Sequence, residues 1–184
     1  PYSVTEQQTC DLIILRDEYP VSATDNGEFT PSVESGSRVA EGTVIGNTPA
    51  RQVYSPCSGL VYYDVDGWEE ILRPELSAEI DWLKVLDMLS SDDQAVDEDA
   101  EEIQLSSGRA IARIVDNLSS VTIFLRIPSL PLDKEEGSRI SFSLEEGSET
   151  VYSAVITEIG QLSDGSNYVL ASLSVAAEWV YTQR

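Results

Sequence analysis

Ser55-Pro56-Cys57-Ser58-Gly59-Leu60-Val61-Tyr62-Tyr63, followed by Asp66-Gly67-Trp68-Glu69-Glu70-Ile71-Leu72, sets the architecture of this chain. It reads as a short strand, a glycine turn and a second turn, with β-branched and aromatic residues between the reversals. The same grammar stands just upstream. Gly27-Glu28-Phe29 leads through Val33, Gly36 and Arg38-Val39 to Gly42-Thr43-Val44-Ile45-Gly46. Glycines fall where the chain must reverse with φ > 0, and the spacing is too tight for helices. Two folded-back halves separated by Asn47-Thr48-Pro49-Ala50-Arg51 are therefore expected to pair as one sandwich.

Gly27 to Gly46 and Tyr54 to Pro74 together resemble the barrel-sandwich hybrid, a biotinyl/lipoyl-like hammerhead, of the haemolysin-D-type membrane-fusion proteins, the periplasmic adaptors of bacterial export systems. The segments S-P-x-S-G-x-V-x-Y and D-G-x-E are similar to a shortened Gram-positive-type branch. Gly108 to Asn117 is similar to the family's return strand, and Leu132, Gly137, Ile140, Phe142, Val155, Ile159 and Val169 fit its adjoining barrel. The resemblance implies a mainly β protein: a lipoyl-like barrel-sandwich hybrid over 1–117, with a short helix at 78–90 and an acidic loop at 91–102, then a small antiparallel β-barrel over 118–184. It further implies a non-enzymatic adaptor or scaffold in the cell envelope, outside the cytoplasm, with protein partners, and leaves oligomerisation open. Family adaptors insert a long helical hairpin between the two halves; here about five residues join them, so contact with an outer channel is not implied.

The chain has 184 residues and is 41% hydrophobic, enough for packed cores in one or two domains. Its 33 acidic and 11 basic residues give a net charge of −22, which repels nucleic acid and anionic membrane surfaces and also keeps a protein soluble. No apolar run reaches the roughly 18 residues needed to cross a bilayer. Because the sequence opens at Pro1 without a leader, the resemblance implies that a membrane anchor precedes it. Cys10 and Cys57 permit one bridge or two separate thiols.

Residues 1–18 form a lead-in whose Asp11–Leu15 portion suits a strand. Leu76, Ile80, Leu83 and Leu86 recur at helical spacing, with Ser77 placed as the cap of the helix over 78–90. Ser91 to Glu102 carries seven acids and no base, and reads as a mobile loop. Beyond it, alternation in 120–127, 139–144, 151–156 and 168–173 is separated by turns such as Glu146-Gly147-Ser148. Periodicity leaves a barrel and an open arrangement both standing.

Chemistry is constrained mainly by what is missing. With no histidine, histidine-activated nucleophiles and histidine-bearing metal sites cannot be assembled. Lys84 and Lys134 are the only lysines, and neither lies between the halves where a biotin or lipoate carrier needs one, so no cofactor is expected. Asp64-Val65-Asp66-Gly67 resembles the middle of an EF-hand, but the flanking ligand positions fall on Tyr62 and Arg73, so no metal is expected there. No Gly-rich phosphate-binding motif occurs. The turn residues Asp66, Trp68 and Glu69 are the candidate partner-binding site: an indole projecting after Asp66-Gly67 would be an anchor, whereas a buried one would belong to the core. A β-rich module of the envelope that binds glycan or a small-molecule ligand in a cleft between the two domains, with an aromatic-lined groove favouring glycan, stays open as an alternative, as does a carboxylate-dependent hydrolase.

Overall fold

The computed structural model describes residues 7–22, 27–91, 103–105, 109–129, 134–173 and 179–183. Among them the strands are β1 (Asp11–Leu15), β2 (Glu18–Ser22), β3 (Gly27–Pro31), β4 (Arg38–Val39), β5 (Val44–Asn47), β6 (Gln52–Tyr54), β7 (Gly59–Tyr62), β8 (Ile103–Leu105), β9 (Ala110–Val115), β10 (Val121–Ile127), β11 (Arg139–Phe142), β12 (Tyr152–Gln161) and β13 (Asn167–Leu173). The helices are α1 (Trp82–Ser91) and the single turn α2 (Trp179–Thr182). The chain forms two compact units, Arg16–Ser119 and Pro1–Leu15 with Ser120–Arg184. The acidic run at 91–102 lies, beyond Ser91, outside the described residues.

In the first unit, two four-stranded antiparallel sheets run β2-β9-β7-β4 and β6-β5-β3-β8. The halves interlock across them. β4 of the upstream half pairs with β7 of the downstream half, Arg38 opposite Leu60 and Val39 opposite Gly59. β5 pairs with β3 inside its own half and with β6 on its other side. Both glycine turns are fastened to the opposite half: Gly36 N–H donates to Val61 O at 2.7 Å and Val61 N–H to Ser37 O at 3.0 Å. Likewise Gly42 N–H donates to Ser55 O at 2.9 Å and Ser55 N–H to Thr43 O at 2.8 Å. Gly36 and Gly42 sit at φ 81° and 78°, which side-chain-bearing residues rarely adopt.

The interlocking closes one core. Val21, Val39, Ile45, Val61, Ala112 and Ile114 form a buried cluster, with Val33, Val53, Cys57 and Tyr63 packed against it. Each large side chain so buried contributes roughly 1.5–3 kcal/mol. The Tyr63 hydroxyl lies 3.0 Å from Val33 O and 2.8 Å from Ile45 O, sharing its proton between the upstream carbonyls.

The helix begins later than the apolar spacing predicts, at Trp82 rather than residue 78. Pro74 starts a 3-10 turn over Pro74–Leu76, which Ser77 terminates by donating its N–H to Pro74 O at 3.3 Å. Ser77 is therefore spent on the preceding turn, and Asp81 caps α1 by accepting the Lys84 N–H at 3.2 Å. Among the described residues no helix is long and apolar enough to cross a membrane.

The second unit is a five-stranded antiparallel sheet in the order β1-β10-β13-β12-β11. β1, which the sequence reading placed at the head of a 1–117 domain, pairs along its whole length with β10, from Asp11 opposite Arg126 to Leu15 opposite Thr122. The small barrel expected over 118–184 is, among the described residues, an open sheet: β1 and β11 remain on opposite edges and do not pair. β10 and β13 fill its centre, with Ile123, Phe124 and Ala171 fully buried.

Candidate interaction site

Asp66, Trp68 and Glu69 lie in a turn that closes on itself. The Asp66 carboxylate accepts the Trp68 N–H at 3.0 Å, and the two Glu69 carboxylate oxygens accept the Asp66 and Gly67 N–H groups, each at 3.0 Å. Gly67 takes φ 87° at the bend, and Trp68 O accepts the Ile71 and Leu72 N–H groups. This corrects the expected anchor. Trp68 is only 7% exposed and Glu69 3%, so the indole is core and the carboxylate is a structural acceptor. Asp66 stays at the surface with Glu70, and Ile71, 46% exposed, is the apolar side chain this turn presents. An acid three residues before a glutamate is the spacing of a capping box, and that signal was present in Asp66-Gly67-Trp68-Glu69.

The segment between the halves is a tight turn. Thr48 is buried; its N–H donates to Arg51 O at 2.9 Å, and its hydroxyl accepts the Arg51 N–H at 3.2 Å. Pro49 and Ala50 form the exposed tip. Asn47 anchors the base by donating to the Ser32 hydroxyl at 2.8 Å.

A charge network with Arg16, Glu18 and Arg113 buried and Asp64 at its exposed end, which no local pattern announces, joins three places far apart in sequence. Glu18 Oε1 accepts from Arg16 Nε at 2.7 Å and from Arg113 Nη1. Arg113 Nε donates to Asp64 O and its Nη2 to Asp64 Oδ2, both at 2.8 Å, while its guanidinium lies 4.9 Å from the Tyr62 ring centroid. One arginine thus ties β2, β9 and the segment leaving β7. Of the two aspartates flanking Val65, Asp64 pairs with Arg113 and Asp66 caps Trp68. Glu18 and Asp64 thus both accept from the one Arg113 guanidinium.

At the surface, Arg73 bridges Glu75 at 2.8 Å and Asp17 at 3.8 Å and lies 5.8 Å from the Tyr19 ring centroid. Burial, with the nearby Glu75 carboxylate second, pushes the Asp17 carboxyl up. Cys10 and Cys57 are free thiols. Burial pushes both up, aided by Asp11 at Cys10 and by Asp116 and Glu41 at Cys57, so neither is an activated nucleophile.

The sequence profile of the RND-related, barrel-sandwich hybrid domain matches residues 18–116, nearly the whole of the first unit. No curated protein matches the chain.

Proposed function

Because this chain belongs to the RND-related barrel-sandwich hybrid family, we propose that it is a non-enzymatic adaptor that works outside the cytoplasm in a membrane-anchored envelope or export complex. The observation that carries the reading is the double fastening of the halves, Gly36 and Ser37 onto Val61 and Gly42 and Thr43 onto Ser55. Such clamps make a sandwich stiff, and stiffness is what a spacer between partners needs. The Arg16–Glu18–Arg113–Asp64 network, buried except at Asp64, supports the same property by tying β2, β9 and the segment leaving β7 together.

The tip at Thr48 to Arg51 is too short for a helical hairpin, so the adaptor engages its partners through β surfaces. A shallow groove of about 310 Å³ in the second unit is lined by Thr9, Asp11, Arg126, Ile127 and Ser166 among others, and by no aromatic ring.

Affinity capture of the full-length protein from its own envelope membranes tests the reading. Co-purification with an integral membrane transport protein is expected. Recovery from the cytoplasm alone, with no membrane partner, would overturn it.

A further inference from the structure

The β11–β12 hairpin gathers apolar surface that the first unit's adaptor fold does not use. Leu144 is 41% exposed and Val151 63%, and both stand within two residues of a ring pair, Phe142 opposite Tyr152, with centroids 5.6 Å apart. Trp179 meets both rings edge-on, at 6.1 Å and 5.1 Å. All three rings are half-buried. An aromatic and aliphatic patch of this kind marks a contact surface.

The same hairpin carries an open sheet edge. β11 bonds to β12 alone. Gly137 N–H donates to Ile156 O at 2.8 Å and Ile156 N–H to Ser138 O at 2.9 Å. Alternation along the ladder then turns the backbone groups of Ile140 and Phe142 toward β12, and those of Arg139 and Ser141 outward. Among the described residues no strand pairs with that outward row.

Charge selects the occupant. The ionisable side chains between Ser143 and Val151 are Glu145, Glu146 and Glu149, all exposed. A second copy of this chain would bring another molecule of net charge −22 to the edge, and nucleic acid or an anionic membrane would be repelled in the same way. We infer that the β11 edge receives an extended, Lys- and Arg-bearing segment of a partner protein. It adds as a strand beside β11, with apolar side chains over the Phe142–Tyr152–Trp179 patch and basic ones toward the glutamates. The inference rests on the adaptor reading for there being a partner, and supplies that partner's chemistry.

A synthetic decapeptide alternating lysine and valine, titrated into the ¹⁵N-labelled full chain, tests it, with a glutamate–valine decapeptide as control. The Arg139 and Ser141 amides shift and gain protection with the basic peptide only, and binding weakens about tenfold in about 0.5 M salt. Ser141→Pro removes an outward N–H without touching a bond to β12, and weakens binding about tenfold with an unchanged fold. Replacing Glu145, Glu146 and Glu149 by Gln does the same without touching the backbone. Shifts confined to other strands, equal binding of the acidic peptide, or unchanged binding by both variants would overturn the inference. So would self-association through β11 that Ser141→Pro abolishes, which would assign the edge to a second copy. If the Ser141→Pro chain still captures a membrane partner while the wild type ignores the basic peptide, this inference fails and the adaptor reading stands.

Discussion

Gly59 and Gly46 are held by their surroundings rather than by unusual backbone angles. A Cβ on Gly59 would sit 2.4 Å from Val115 O, and one on Gly46 2.2 Å from the Phe29 ring and 2.8 Å from Thr30 O. Gly59→Ala should therefore cost about 1–3 kcal/mol by chemical denaturation, since a backbone oxygen cannot swing aside. Trp68→Ala should lower stability by about 3–5 kcal/mol, as truncation of a buried indole does. The glycine grammar was legible because φ > 0 and tight reversals leave a mark in composition; the burial of Trp68 was not, because a turn position says nothing about what lies beneath it. In the second unit the Tyr168 hydroxyl donates to Glu158 at 2.5 Å, and that bond, with burial second, pushes the phenol from 10.0 to about 12. A folded pKa above the unfolded one gives stability that is whole below pH 10 and is lost as pH rises toward 12. Denaturation midpoints between those pH values should fall less steeply for Tyr168→Phe than for the wild type; parallel slopes would exclude this coupling.

At the scale of elements, α1 separates two readings of one segment. Asp81→Ala should cost about 1 kcal/mol, the usual value of an N-cap, whereas Ser77→Ala should stay within about 0.5 kcal/mol. Equal losses at the two positions, measured by thermal unfolding, would return the helix start to Ser77. The apolar period from Leu76 to Leu86 was visible in the sequence, but a period cannot distinguish a helix from a 3-10 turn followed by a helix. Pro74 was the deciding residue: it fits the first position of a turn and made the segment reverse before α1 began. The strands of the second unit were legible from their alternation, yet an edge and a closed seam carry the same alternation. Only the pairing of β1 with β10 shows where the sheet stops.

Across the whole molecule, the chain leaves the second unit after Leu15 and returns to it at Ser120. Residues 16–119 expressed alone should fold, with dispersed amide resonances. Residues 118–184 alone should not, because β10 loses the partner that supplies Ile13, Ile14 and Leu15, and fusion to residues 7–15 should restore the sheet. The interlocked halves could be read from adjacent glycine turns. The Arg16–Glu18–Arg113–Asp64 network could not, since Glu18 and Arg113 meet only after β2 and β9 pair. Of the candidate residues Asp66, Trp68 and Glu69, only Asp66 reaches the surface of the turn; the exposure of Ile71 and the edge of β11 depended on packing and topology that no single segment encodes. The most direct measurement is photo-crosslinking in the native envelope, with a reactive residue placed at Ala50, Ile71 or Ser141 of the full-length protein. An adaptor gives adducts with an integral membrane transport protein from at least one of these positions; adducts absent from all three in a protein that folds and reaches the envelope would contradict it.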